Sequence, residues 1–508
     1  MSTGNAEGSP ASGSFLAERV SRMDGRCPVP LRLNFDVLLV VLSLVEGRPN
    51  IGRMMRTCRT MHRAGVQHIL YGNIRICDFE KFLSLCCFML DKNPPRFRHL
   101  RHLDLDGWDA TSATTSAILA VNDTILEFFQ KAQYLEKLTL QFRDSDMLLG
   151  NTRIPQAISS LTNLVDFTMY GMGREGCTML NKLQSPLTTI SVCFDLYDMN
   201  PSDPGHIFRR FKDSLQELHI DWASLGTGDT TYPHLIFLRV DACVRADIGC
   251  MFRAYPNLQG LLLRMVDENE EADDSQDPSI ELCRQANIAA QAAGTWETLR
   301  CLSGSLVGLY KLAARSKVQR LFLGLLRSSH LTRLQAVLTD SQPRALSFVI
   351  DAPQFDSVRL GEFLAPAVET LTALKLDVHN MIDWHYKHPS VTVTALLVSL
   401  SSFPIQFLSV TLFWGTVGSL TFYSSDPHQP DDACHPPFSA LDVEALAQEA
   451  MRAIPSLRNL ALYTVNPWRQ WHWEIKSGAQ GDGDGRIVIP LDQDEGERVL
   501  ERFFPDSS

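Results

Sequence analysis

The feature that most limits how this chain can fold is a short apolar triplet, Leu-x-x-Leu-x-Leu with Ile, Val, Phe or Met allowed, that keeps returning. It occurs at Leu100/Leu103/Leu105, Leu135/Leu138/Leu140, Leu164/Phe167/Met169, Leu187/Ile190/Val192, Leu215/Leu218/Ile220 and Leu235/Leu238/Val240. It continues at Leu258/Leu261/Leu263, Val318/Leu321/Leu323, Leu371/Leu374/Leu376, Ile405/Leu408/Val410 and Leu457/Leu460/Leu462. Five of these eleven triplets have a proline one or two residues before the first apolar position: Pro186, Pro233, Pro256, Pro404 and Pro455. With 26 prolines in 508 residues, chance would supply about one. Proline there stops a helix and admits an extended segment. Helix-like runs such as Ser116–Ala132 and Leu441–Ala453 lie between the triplets, so strand, loop and helix alternate, mostly every 20 to 35 residues. That is the composition of an α/β solenoid, in which each unit buries its apolar face only by stacking on the next.

Such stacking also places a ligand. Residues that alternate with the leucines point the other way, and parallel strands gather them on one concave face. They are Asp104, Asp106, Thr139, Gln141, Thr168, Tyr170, His219, Asp221, Arg239, Asp241, Arg264, Lys375, Asp377 and Tyr463. Both charge signs and aromatic anchors occur among them, as on protein-recognition surfaces.

A different organisation precedes the repeats. Asn34 is a good N-cap, and Phe35, Leu38, Leu39, Leu42 and Val45 follow at helical spacing. Gly47, Pro49 and Asn50 break that helix, and a second begins near Ile51 with Met54, Met55, Cys58 and Met61 on it. Two helices this short cannot bury so much apolar surface against each other, so part of it must meet the rest of the chain or a partner.

The stretch Leu33-Asn34-Phe35-Asp36-Val37-Leu38, with Val41, Leu42 and Val45, then Thr57-Cys58-Arg59, then Leu70-Tyr71-Gly72-Asn73-Ile74-Arg75-Ile76, resembles an F-box. Asn34 stands where that family has proline, and Met61 where it has tryptophan or phenylalanine. The resemblance implies docking to the Skp adaptor of a cullin-RING ubiquitin ligase, with Leu33, Phe35, Leu38, Leu39, Leu42, Met54 and Cys58 as contacts. The repeats are similar to a degenerate leucine-rich-repeat array. Cys243 alone matches the family's Asn/Cys ladder, and the spacing is irregular from Leu258 to Val318 and from Ile405 to Leu457. The expected fold class is therefore α/β: a short helical F-box-like domain followed by an irregular leucine-rich-repeat solenoid. The expected divisions are a disordered tail at 1–28, the F-box-like domain at 29–76, the repeats at 77–465, and a C-terminal cap and tail at 466–508.

These expectations make the chain a substrate-recognition adaptor, not an enzyme, holding an unidentified protein target near the ligase. The alternative is a repeat-based interaction scaffold outside any ligase, with the first helices as a terminal cap. A net charge of −11 argues against nucleic acid as partner. Twelve cysteines without framework spacing, and no secretory signal ahead of them, fit reduced thiols in cytoplasm or nucleus. Pro389–Ser425 lacks Asp, Glu, Lys and Arg, yet Pro404 and its Ser/Thr content favour a buried helix at 391–401 and a strand at 405–414 over a membrane span.

No cofactor or metal is expected. Gly171–Gly176 spells G-x-G-x-x-G with Asp195 beyond it, but its strand alternates polar and apolar, unlike a first dinucleotide-binding strand. His379, His385 and His388, beside Asp377 and Asp383, match no metal-ligand spacing. Asp482 and Asp484 lack the spacing of a calcium loop and read as a turn. Trp471, Trp473 and Ile475 alternate as one strand face; with Trp468 they seal the last repeat.

Overall fold

The structure is a computed structural model that describes residues 35–505 apart from 46, 92–95, 109–114, 143–152, 195–203, 226–228, 266–276, 352–359, 380–388, 414–440, 466–468 and 478–485. The chain divides after Tyr71 into two compact units.

The first unit is helical: α1 (Phe35–Leu44), α2 (Arg48–Met55) and α3 (Arg59–Tyr71). Gly47, at φ +83°, turns the chain into α2, and Pro49 sits in the first turn, where a missing N–H costs no helical bond. Leu38, Leu42 and Val45 form one stripe of α1 and pack with Ile51, Met54, Met55, Met61, Ala64 and Ile69.

The second unit is mixed α/β around one large, mostly parallel sheet. Its strands are β1 (Asn73–Ile76), β2 (His102–Trp108), β3 (Lys137–Phe142), β4 (Asp166–Met172), β5 (Thr189–Phe194), β6 (Glu217–Asp221), β7 (Ala223–Leu225) and β8 (Phe237–Ala246). They continue as β9 (Gly260–Met265), β10 (Thr298–Gly304), β11 (Lys317–Leu326), β12 (Ala345–Asp351), β13 (Ala373–His379), β14 (Phe407–Phe413), β15 (Asn459–Val465), β16 (Arg469–Ser477) and β17 (Arg486–Leu491). Apart from short β7 beside β8, each strand through β15 pairs in parallel with the one before it in the chain; β16 and β17 close the row antiparallel.

One register column runs the length of this sheet. Ile74, Leu103, Leu138, Phe167, Ile190, Leu218, Leu238 and Leu261 are direct partners across successive strands. Leu302, Leu321, Leu346, Leu374, Leu408 and Leu460 carry it on. Every member is buried. Just before most of these strands, a single carbonyl accepts two amides where the next strand begins. The Arg101 carbonyl takes Glu136 and Lys137, that of Glu136 takes Val165 and Asp166, and the series passes through Thr188, Gln216, Ile236, Arg344, Thr372 and Gln406. The column is thus locked by backbone as well as by oil.

Crossovers carry the helices that cover the column. Phe82 in α4 (Phe79–Leu90) meets Phe128 and Phe129 in α5 (Thr115–Lys131), with ring centroids 5.6 and 6.3 Å apart. Further helices are α6 (Arg153–Ser159), α7 (Arg174–Lys182), α8 (Pro204–Ile207), α9 (Ile248–Ala254), α10 (Pro278–Ala290), α11 (Leu306–Leu312) and α12 (Leu331–Ser341). After them come α13 (Leu360–Leu364), α14 (Pro389–Ser399), α15 (Val443–Ala453) and α16 (Gln493–Phe503). Asp78, Asp247, Asp277, Ser305, Asp442 and Asp492 cap α4, α9, α10, α11, α15 and α16, each side chain accepting a first-turn amide. Between α10 and its neighbours the buried polar groups are paired: Asn287 bridges Ile248 N–H and the Lys311 carbonyl, and Arg284 meets Asp340 at 2.6 Å.

All eleven sequence triplets lie in the column or its flanks, and two further turns of the pattern emerge. β10 fills part of the long Leu258–Val318 interval with Leu299, Leu302 and Gly304 in the three places. A Cβ at Gly304 would collide with the Leu263 carbonyl oxygen, which explains the missing apolar residue. β12 places Leu346 and Phe348, with Pro343 in the first position. The uncharged stretch forms α14 and β14, and no described helix is long and apolar enough to cross a membrane.

Leu302→Ala and Leu346→Ala should therefore each destabilise the sheet unit by about 2–5 kcal/mol, as much as Leu261→Ala. Denaturation midpoints of the three variants measure this; losses below about 0.5 kcal/mol at Leu302 or Leu346 would place them outside the column.

Candidate protein-recognition surfaces

Helix α1 is apolar on two sides. The inner stripe packs as described; the outer one, Val37, Val40, Val41 and Leu44, is 47%, 59%, 42% and 75% exposed. Spacings of three, four and seven residues put these four side chains on one strip. Of the expected adaptor contacts, Leu39 is 36% exposed but lies off this strip, and Cys58 is exposed between α2 and α3. Leu38 and Met54 are half-buried against the core. Leu42 needs correction: at 1% exposure it holds the three helices together and offers no outer surface. Leu33 lies outside the described residues, as does the Phe35 side chain. The outer valines escaped the sequence reading because one helical stripe, once found, accounted for the periodicity.

On the sheet, the residues that alternate with the leucines do share one face. Asp104, Thr139, Thr168, His219 and Arg239 fall in one register row, which continues to Lys375. Gln141 and Tyr170 are partners in the next row, as are Asp377, Thr411 and Tyr463. Asp106, Asp221 and Arg264 sit towards the C-terminal ends of their strands, and Asp241 lies midway along β8.

Much of the charge near β1–β8 is already neutralised within that face. Arg75 bonds Asp106 at 2.8 Å through Nε and lies 3.8 Å from Asp104. Lys137 meets Asp166 at 2.5 Å, and Arg239 meets Asp241 at 2.7 Å. Burial raises the Asp104 pKa, and Arg75 pulls against that rise. Burial also lowers the His219 pKa, with Arg239 adding to the effect.

The far end of the same face is covered by the chain itself. α16 lays Val499, Leu500, Phe503 and the following Phe504 over Ala345, Ala373, Phe407, Ala461 and Tyr463. Phe503 stacks on Phe407 at 4.8 Å, and Phe504 reaches Phe322 at 6.2 Å. Tyr463, expected to face a target, is instead 8% exposed beneath this helix, a second correction. Burial pushes its hydroxyl pKa up to about 12. Gly496 lets α16 approach, since any Cβ there would enter the His472 ring. The signal for this helix was present in the sequence: an Asp492 cap, then apolar residues at 499, 500, 503 and 504.

Between these two regions the face opens into a cavity of about 680 Å³ that spans β6 to β13 and ends at Pro505. Small residues, Gly260, Cys301, Ser303 and Ser347, alternate with Phe237, Leu262 and Phe322 in its lining. Arg300, Arg320 and Lys375 line it too, against one carboxylate, Glu217.

The other motifs resolve into structure. Gly173 caps α7, and Gly176 inside that helix is buried where a Cβ would collide with Met172 and Met169. The Cys177 thiol behind it is pushed up to about 11 by burial and so is a poor nucleophile. Asp195, Asp383, His385, His388, Trp468, Asp482 and Asp484 lie outside the described residues. His379 is buried and stacks on Phe413 at 4.1 Å. Trp471 and Trp473 pair with Leu462 and Leu460, carrying the apolar column into β16. Among the described residues no group of three metal-ligating side chains occurs, and none of the ten described cysteines is in a disulfide. Compared with models of known families and with curated protein sequences, the chain matches none.

The docking of α16 should weaken in acid. Burial holds His472 below the ordinary histidine value of 6.5, with Glu497 opposing, so the unfolded chain binds the proton more readily. The stability it contributes is complete above that ordinary value and is lost as pH falls towards the depressed one. Amide protection factors across 493–503, exchange rates corrected for the intrinsic rate at each pH, should accordingly fall on acidification, and His472→Asn should flatten that response. Phe504→Ala should weaken docking by about 3–5 kcal/mol at any pH.

Proposed function

We propose that the chain is a substrate-recognition adaptor: α1 docks on the Skp adaptor of a cullin-RING ubiquitin ligase, and the sheet is a leucine-rich-repeat solenoid whose helix-opposed face holds a protein target. The observation that carries this reading is the outer strip of α1. Val37, Val40, Val41 and Leu44 are left in solvent although the same helix has a complete inner stripe. Burying such side chains against a partner is worth roughly 1–3 kcal/mol each. The F-box-like residue pattern supports the identity of that partner. The parallel, chain-ordered strands and their single apolar column support the solenoid.

In this reading the protein makes and breaks no bonds. It raises the local concentration of a target's lysines beside the ligase, on the order of millimolar for a tethered site. Such a protein works in cytoplasm or nucleus, where the ligase and reduced thiols are found.

The test is co-purification of the Skp adaptor with the full chain. Val40→Asp with Leu44→Asp should abolish it, by at least about a hundredfold in affinity, while the circular dichroism of the sheet unit stays unchanged. Leu42→Asp serves as the comparison, since it should unfold the helical unit itself. Undiminished capture by the Val40/Leu44 variant would remove the docking role of the strip, and no capture by the wild-type chain would leave the interaction-scaffold reading in its place.

A further inference from the structure

We propose, resting on the adaptor reading, that the cavity on the helix-opposed face takes an acidic side chain of the protein target together with the aromatic or large aliphatic residue beside it. Three observations converge. First, Arg300, Arg320 and Lys375 line this cavity, and none has a carboxylate partner among the described residues. Elsewhere on the face Arg75, Lys137 and Arg239 are paired with carboxylates, and the whole chain carries −11. Cations left unpaired around a concave, partly apolar site attract an anion strongly.

Second, apolar walls stand beside these charges. Phe322, Ser347 and Lys375 occupy one register row on successive strands, so the aromatic ring and the ammonium stem stand two strands, about 10 Å, apart. Phe237 closes the opposite side. A ligand that spans this width presents a carboxylate and a hydrophobic group together.

Third, the chain already offers part of that chemistry. Phe504 packs against Phe322, and Arg320 Nη1 donates to the Pro505 carbonyl oxygen at 3.0 Å. An aromatic side chain followed by an oxygen acceptor therefore sits at the rim. A target segment repeats this pattern, with a carboxylate as the stronger acceptor.

The experiment pans displayed random short peptides on the full-length protein. Enrichment of peptides pairing Asp or Glu with Phe, Tyr, Trp or Leu is expected. Their binding should fall at least about tenfold in the Arg300→Gln, Arg320→Gln, Lys375→Gln variant, and less in Lys375→Gln alone. Peptides with no acidic bias would overturn the proposal, as would acidic peptides that bind wild type and triple variant equally. Competition by inorganic phosphate without any peptide enrichment would also overturn it, in favour of a free small anion. Skp co-purification is scored on the same variants: if peptides bind but the adaptor does not, the ligase reading fails and the cavity assignment stands.

Discussion

The carbonyl that precedes most of the parallel strands is the joint on which the sheet unit depends. It sits one residue before the first paired position and accepts amides where the next strand begins, from Arg101 near the beginning to Gln406 near the end. Because it belongs to the backbone, it demands no particular side chain, only that each turn re-enter extended at the same height. The leucine column supplies that height: a slip of one residue would turn Leu103 or Leu374 to the polar face and Asp104 or Lys375 into the core. Hydrogen bond and apolar register thus enforce each other, and variable crossovers such as the long one before β10 are tolerated.

That division of labour sets what could be read from the sequence. The column positions were legible because burial on one sheet face leaves a fixed spacing in the chain. The two missed turns break the spacing for local reasons. Gly304 avoids the Leu263 carbonyl, and Pro343 occupies a place where backbone conformation matters more than apolarity. The polar face could be named residue by residue, but its division into paired, open and covered regions could not. Ion pairs such as Lys137–Asp166 join residues 29 apart in the chain, and Arg320 finds Pro505 across 185.

The helical unit shows the complementary limit. Periodicity finds that α1 is amphipathic in the sense of having an apolar stripe, yet α1 has two. Leu42 and Val40 look equivalent in composition; one is enclosed by Ile51 and Met61, the other stands in water. Only packing separates the residue that builds the unit from the residue that a partner could use.

The same distinction governs the polar face. A surface that recognises a protein must keep some of its chemistry unsatisfied, and this face satisfies its own chemistry at both ends. Near β1–β5, Arg75 and Lys137 are engaged with Asp106 and Asp166, so a ligand there would have to break ion pairs to gain others. Near β14 and β15, α16 has already taken the aromatic contacts of Phe407 and the small-residue floor of Ala373 and Ala461. Among the described residues, the middle sets bases that lack a carboxylate partner beside apolar surface. Pro505 forms the border between the covered and the open region, and Phe322 belongs to both, meeting Phe504 beside α16 and lining the cavity. The grip of α16 on β12–β15 and the shape of that end of the cavity therefore share side chains.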